Sequence, residues 1–167
     1  MGFLTPIGYF DYACFCRAEG NRMPISYDRA ITFGLEGSAQ EFKPTGIDFS
    51  ESGPQSWTIA SVVEMDLQFP FNRNDIVMEL EATPFIVPDE VPVQQAFIFM
   101  GALFVGFFSA KGHVTRSFAI ARSTISGRST RLTMVIPTAA SPASLLTGDD
   151  ERELGLRLTS LVFRSPV

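Results

Sequence analysis

Apolar and polar residues alternate strictly through residues 63–69, VEMDLQF, and again through 76–82, where Ile76, Met78, Leu80 and Ala82 share one side. A period of two puts successive side chains on opposite faces of an extended chain, and no helix can use such a pattern. Each run is therefore a strand with one dry face and one wet face. Pro70 and the Asn72-Arg73-Asn74-Asp75 cluster lie between them and predict a turn. The two runs are expected to pair as an antiparallel hairpin, with Glu64, Asp66, Glu79 and Glu81 lining one wet face.

The same period continues along the chain from Ile25, with strands expected over residues 27–33, 57–60, 114–120, 129–136 and 153–163. In residues 129–136, Leu132, Met134 and Ile136 point inward, while Arg131, Thr133 and Val135 point outward. In the last run Leu154, Leu156 and Leu158 are inward and Arg157 outward. The inward set then resumes at Leu161 and Phe163, which predicts either a bulge or burial on both faces. Arg116 shares its parity with Val114, Phe118 and Ile120. It is either an inward arginine paired with an acid or a sign that the register there is shifted by one. Residues 121–127 read as a short irregular or helical piece, and Ser141-Pro142 predicts one helical turn. Pro84, Pro88 and Pro92 confine their connection to the surface or to a sheet edge. The expected fold is all-β: an antiparallel β-sandwich of jelly-roll or Greek-key type, with about eight or nine strands and one short helical turn.

Residues 94–110, QQAFIFMGALFVGFFSA, hold five of the chain's sixteen Phe and no charge. The run falls short of the ~20 residues a spanning helix needs, and Gly101 and Gly106 interrupt it. It predicts a hairpin over 93–108, turning at Met100-Gly101, with apolar residues on both faces. One face fills a core. The other leaves Phe97, Phe99, Phe104 and Phe108 as an exposed patch, which marks an interface.

With 167 residues the chain can bury a core without staples. The expected organisation is an N-terminal arm, residues 1–24, followed by one domain, residues 25–167. A net charge of −5 and the lack of a basic cluster exclude nucleic acid as the main partner. The first residues lack a basic start, and Pro6 and Gly8 break their apolar run, so no signal peptide is expected and the cytoplasm is the default. The arm is rich in aromatics and carries both cysteines, Cys14 and Cys16. It is expected to pack on its own domain or on a neighbouring copy, in a homo-oligomer.

The four wet-face carboxylates could hold a calcium ion, act as an acid/base pair, or simply keep a sheet wet. Arg131 and Arg157 are outward and are natural complements for them. No calcium motif supports a metal, and no cofactor is expected. His113, the only histidine, sits by a Lys-Gly turn with no nucleophile elbow beside it, and there is no phosphate loop. No catalytic constellation is present, so a non-enzyme is expected. A glycoside-active enzyme using Glu79 or Glu81 is the enzyme reading left open. Trp57, the only Trp, follows the loop 50–56 and is either a core residue or a rim platform for a sugar ring. Trp57, Glu79, Glu81, Arg131 and Arg157 are the candidate ligand-binding residues.

Several segments recur in an order that resembles a known family. They are Ile31-Thr32-Phe33-Gly34, then Trp57, then Met78-Glu79-Leu80-Glu81-Ala82-Thr83-Pro84-Phe85. Val91-Pro92-Val93-Gln94 follows, then Ser141-Pro142-Ala143-Ser144-Leu145 and Asp150-Glu151-Arg152-Glu153-Leu154-Gly155-Leu156. The order resembles a β-sandwich domain found beside bacterial glycosyltransferases and other cell-surface polysaccharide assembly proteins. The resemblance covers about residues 26–163 and implies a sandwich, a role in exopolysaccharide synthesis, and a polysaccharide or glycosyltransferase as partner. It brings no catalytic residue. The chain departs from that pattern at Met100-Gly101, where the family has Asn-Gly, and in its far more aromatic hairpin.

Overall fold

The computed structural model describes residues 23–125, 127 and 129–165. The expected arm, with Cys14 and Cys16, lies outside the described residues except for Met23 and Pro24. Ten strands follow in order: β1 (Ala30–Thr32), β2 (Ile47–Asp48), β3 (Ser56–Thr58), β4 (Val62–Gln68), β5 (Ile76–Pro84), β6 (Gln94–Met100), β7 (Leu103–Ala110), β8 (Val114–Ile120), β9 (Ser129–Val135) and β10 (Leu156–Arg164). A 3-10 helix, Ser38–Phe42, and one short helix, α1 (Arg122–Ile125), interrupt them. The expected turn at Ser141 closes through bonds from Leu145 N–H to the Ser141 carbonyl and from Thr147 N–H to the Pro142 carbonyl, and Ser141 Oγ caps it by accepting from Ser144 N–H at 3.0 Å. No helix among the described residues is long and apolar enough to cross a membrane.

The strands form two antiparallel sheets. One has the order β4-β9-β6-β7; the other has the order β2-β3-β10-β5-β8, with β1 also on β10. From β3 to β10 the chain changes sheet at every connection except the β6–β7 hairpin, which is the habit of a jelly roll. The inward faces meet in one core that includes Leu67, Met78, Ile98, Leu156 and Leu161. Phe69 at the end of β4 meets Phe163 of the opposite sheet edge to face, with centroids 5.0 Å apart.

That contact corrects the expected β4–β5 hairpin. Phe69 is fully buried, so the chain turns inward after β4 and crosses the sandwich. Pro70, which has no N–H for a ladder, follows, and its carbonyl accepts from the Tyr27 hydroxyl at 3.1 Å. β4 pairs with β9, and β5 lies between β10 and β8. Glu64 and Asp66 therefore stand on the opposite outer face from Glu79 and Glu81, and the four do not form one ribbon. Arg116 keeps its inward register opposite Leu80. Because β8 is an edge strand, its side chain escapes to solvent and pairs with no acid among the described residues.

The bulge expected in the last strand falls at Thr159, between Leu158 and Ser160. A second bulge lies in the Phe-rich hairpin. Ile98 pairs with Gly106 but Phe99 pairs with Phe104, so Val105 is the extra residue. The insertion reverses the parity of β7 beyond it. Phe108 is thus only 4% exposed and sits in the core, and Phe107, at 46%, takes its expected place on the surface.

Candidate functional site

β10 runs through the middle of its sheet and holds two different neighbours on one flank. β3 pairs with it at Arg157 and Leu158, and β1 pairs with it from Ser160 to Val162. The two short strands thus abut end to end at the Thr159 bulge. Their loops press together there: Gly34 has φ +99°, and a Cβ on it would lie 2.3 Å from the Gly53 carbonyl oxygen. Ser56 Oγ accepts from Gly34 N–H at 2.9 Å, and Gln55 Nε2 donates to Thr159 Oγ1 at 2.8 Å. Between the loops is an open groove of about 630 Å³, bordered by Thr32, Leu35, Glu36, Pro54, Thr159 and Ser160. Its size suits a small ligand, since such sites commonly measure about 300–1,000 Å³.

One step along β10 a row of side chains crosses the outer face. Trp57, Arg157 and Thr83 are register partners on β3, β10 and β5. The half-buried Trp57 meets Phe85 edge to face at 6.2 Å, and the Arg157 guanidinium lies 5.7 Å from the indole centroid. That is cation–π distance. Thr83 Oγ1 is 3.2 Å from His113 Nδ1, which extends the row to the start of β8. The next row holds Glu81, whose Oε2 accepts from Ser160 Oγ at 3.0 Å and whose Oε1 lies 3.3 Å from His113 Nε2. Beyond it, Glu79 takes Arg164 Nε at 2.5 Å.

Of the residues singled out from the sequence, Trp57, Arg157, Glu81 and Glu79 therefore share one face. Arg131 does not join them. It stands on the other outer face, where its Nε and Nη2 form a bidentate pair with Asp66 at 2.8 and 3.2 Å and its Nη1 reaches Glu64 at 3.2 Å. The Asp66 hydrogen bond, more than the nearby charges, raises the affinity of Arg131 for its proton. This guanidinium fills the space between the two acids that a calcium ion would need. No group of three His, Cys, Asp or Glu side chains placed to hold a metal occurs among the described residues.

Sequence reasoning missed Thr83, Phe85, Ser160 and His113. The first two were within reach, because they continue the outward parity of Glu79 and Glu81. Ser160 was hidden by the bulge, which changes parity one residue before it.

A second cluster borders the face. Asp48 is the β2 partner of Trp57, and its carboxylate takes Arg152 Nη1. Glu51 and Asp150 bind the same guanidinium at 3.1 and 2.7 Å. The Asp150 carboxyl is lowered chiefly by the hydrogen bonds from Arg152, and Asp48 by those from Ser50 and then by Arg152. Here three acids are already occupied by one arginine.

The opposite outer face is apolar along one line. Phe107, Phe97, Val135 and Val62 are successive register partners across all four strands of that sheet. Phe104, 58% exposed, and Phe99 form the next row, and Phe97 packs on Phe107 at 4.9 Å.

No family model matches the sequence, and no curated protein matches it. Several solved structures are similar in fold. One is a β-1,3-glucan-binding CBM6 from Bacillus halodurans, with 16% identity over 83% of this chain and 96% of that one and a TM-score of 0.46. Another is the CBM36-1 domain of a multidomain xylanase from the hindgut metagenome of Trinervitermes trinervoides, with 9% identity, 83% and 98% covered, and a TM-score of 0.47. A third is a carbohydrate-binding module, CBM36, in complex with calcium and xylotriose, with 12% identity, 81% and 98% covered, and a TM-score of 0.45.

Proposed function

We propose that this chain is a non-catalytic sandwich module that binds polysaccharide along β10, on the outer face shared by β3, β10 and β5. The observation that carries the reading is the continuity of two features on one strand. Thr159 and Ser160 border the open groove, and the next outward residue of β10 on its N-terminal side, Arg157, stands in the Trp57–Arg157–Thr83 row. The Thr159 bulge draws Ser160 close to Arg157: their partners Glu81 and Thr83 are two residues apart on β5, about 7 Å, so one short stretch of glycan can touch both. Aromatic edges, hydroxyls and amides at that spacing suit a ring with apolar C–H faces and a hydroxylated rim. The carboxylates of Glu79 and Glu81 already have partners, which leaves no free acid/base pair facing the groove among the described residues. The setting in bacterial exopolysaccharide assembly, beside a glycosyltransferase, draws its support from the order of sequence segments. Affinity gels containing a panel of neutral and acidic polysaccharides test the reading. Retardation by at least one polymer, weakened by Trp57→Ala, is expected; no retardation by any polymer overturns it.

The apolar line Phe107–Phe97–Val135–Val62 favours a second reading, self-assembly through the other face. A flat face with an apolar row across its full width can stack on its own copy about a two-fold axis. Light scattering decides this, and a clean monomer at millimolar concentration rejects it.

A further inference from the structure

The guanidinium of Arg157 is the clue to which sugar the face takes. Its Nε is buried and has no hydrogen-bond partner, and it is the only buried side-chain polar atom in that state among the described residues. No carboxylate among the described residues pairs with it, although Arg131, Arg152 and Arg164 each bind at least one acid. Its neighbours in the row are Trp57 and Thr83, an aromatic plane and a hydroxyl. The acids that could have served it are engaged elsewhere: Glu81 with Ser160 and His113, Glu79 with Arg164, and Asp48 with Arg152. A half-buried charge without a counter-ion is costly, and a donor without an acceptor adds to the cost. The guanidinium lies over the indole, and because Nε is closed off beneath the surface, the Nη1–Nη2 edge is the one open to a planar partner, for which a carboxylate is the natural fit.

We propose that the Arg157 position binds the carboxylate of an acidic sugar, so that the ligand is a uronate-containing polysaccharide. The inference rests on the glycan-binding reading above and narrows it. The groove beside Ser160 carries Glu36, a hydrogen-bond acceptor for hydroxyls and a poor neighbour for a second carboxylate. A neutral unit therefore suits the groove better than a second acidic one, so among acidic polymers one that alternates acidic and neutral units, such as hyaluronan, should bind best.

The test uses affinity electrophoresis of the full chain against hyaluronan, alginate and polygalacturonate, each paired with the same polymer after reduction of its carboxyl groups to alcohols. Laminarin and xylan serve as neutral controls. The expected result is retardation by at least one acidic polymer, lowered roughly ten- to hundredfold in affinity by carboxyl reduction. Arg157→Gln should abolish the difference between each pair, and Arg157→Lys should restore part of it. Equal binding of acidic and reduced forms, or binding to neutral polymers alone, overturns the acidic-sugar inference and leaves the glycan-binding reading standing. An Arg157→Gln protein that still discriminates overturns the assignment to this residue. Should no polymer bind, both fall together. The comparison of acidic with reduced polymer needs only the unaltered protein, so it stands whatever Arg157→Gln does to folding.

Discussion

The ring of Phe118 occupies the place where a side chain on Gly106 would begin: a Cβ there would lie 2.4 Å from the ring's Cδ1. β7 and β8 are the edge strands of the two sheets, and this contact, with Phe108 packed on Phe118 at 6.2 Å, closes the sandwich along that side. Gly106→Ala is expected to destabilise the fold by about 1–3 kcal/mol, the usual cost of overpacking. Adding Phe118→Leu to Gly106→Ala should recover part of it. Urea denaturation of the two single variants and the double variant checks this, and strict additivity would rule out the steric cause.

Adjacent phenylalanines in β7 should behave oppositely. Phe108→Ala opens a core cavity and is expected to cost about 3–5 kcal/mol. Phe107→Ala removes a surface ring and should change stability by about 0.5 kcal/mol or less. Equal costs in thermal or chemical unfolding would place the bulge elsewhere.

The difficulty with this pair shows what the sequence could reveal. Around the bulge in β10 the inward residues are Leu and the outward ones Arg157 and Ser160, so a parity change at Leu161 was visible. In β7 both parities carry Phe, and inserting Val105 leaves no mark on the pattern. The wet faces of β4 and β5 were equally legible from Glu64, Asp66, Glu79 and Glu81. Their pairing was not, because alternation says which side of a strand is dry but not which strand lies beside it. A short connection serves a hairpin or a crossing equally well, and the buried Phe69 decided it through a contact with Phe163, far away in the chain. The site was legible in part for the same reason. Trp57, Arg157, Glu79 and Glu81 share an outward parity, whereas the groove depends on two loops meeting at a bulge.

Gln94 is expected to be sensitive despite lying far from the groove. It is fully buried; its Nε2 donates to the Phe85 carbonyl at 3.0 Å, and its Oε1 accepts from Thr138 Oγ1 at 2.7 Å. Gln94→Leu leaves the Phe85 carbonyl without its donor and the Thr138 hydroxyl proton without its acceptor, and should cost about 1–3 kcal/mol. It should also loosen Phe85 against Trp57, seen as a shift in the fluorescence of the single tryptophan. Unchanged emission would show that Phe85 is held by other contacts.

Acid should weaken the Arg152 cluster in a defined direction. The folded-state carboxyls of Asp48 and Asp150 are lowered, so their contribution is complete above the ordinary carboxylate value and is lost as pH falls through the folded one. Stability should therefore show no loss from this cluster down to about pH 5 and fall below about pH 4. Arg152→Met should make that acid limb shallower. Urea midpoints measured across this range check the prediction, and identical acid limbs in the two proteins would sink it.

The place of β10 has a consequence for how the protein is made. This strand pairs with β1, β3 and β5, all of which leave the ribosome earlier. The sheet of β4, β9, β6 and β7 is complete by Val135, whereas its partner sheet must wait for the segment Leu156–Arg164. During translation the first sheet thus exposes part of its inner face, with Met65, Ile98 and Leu132, while its cover has β5 and β8 but still lacks the central strand β10. Slowing synthesis between Val135 and Arg164 would prolong that exposure and favour aggregation of the half-built sandwich.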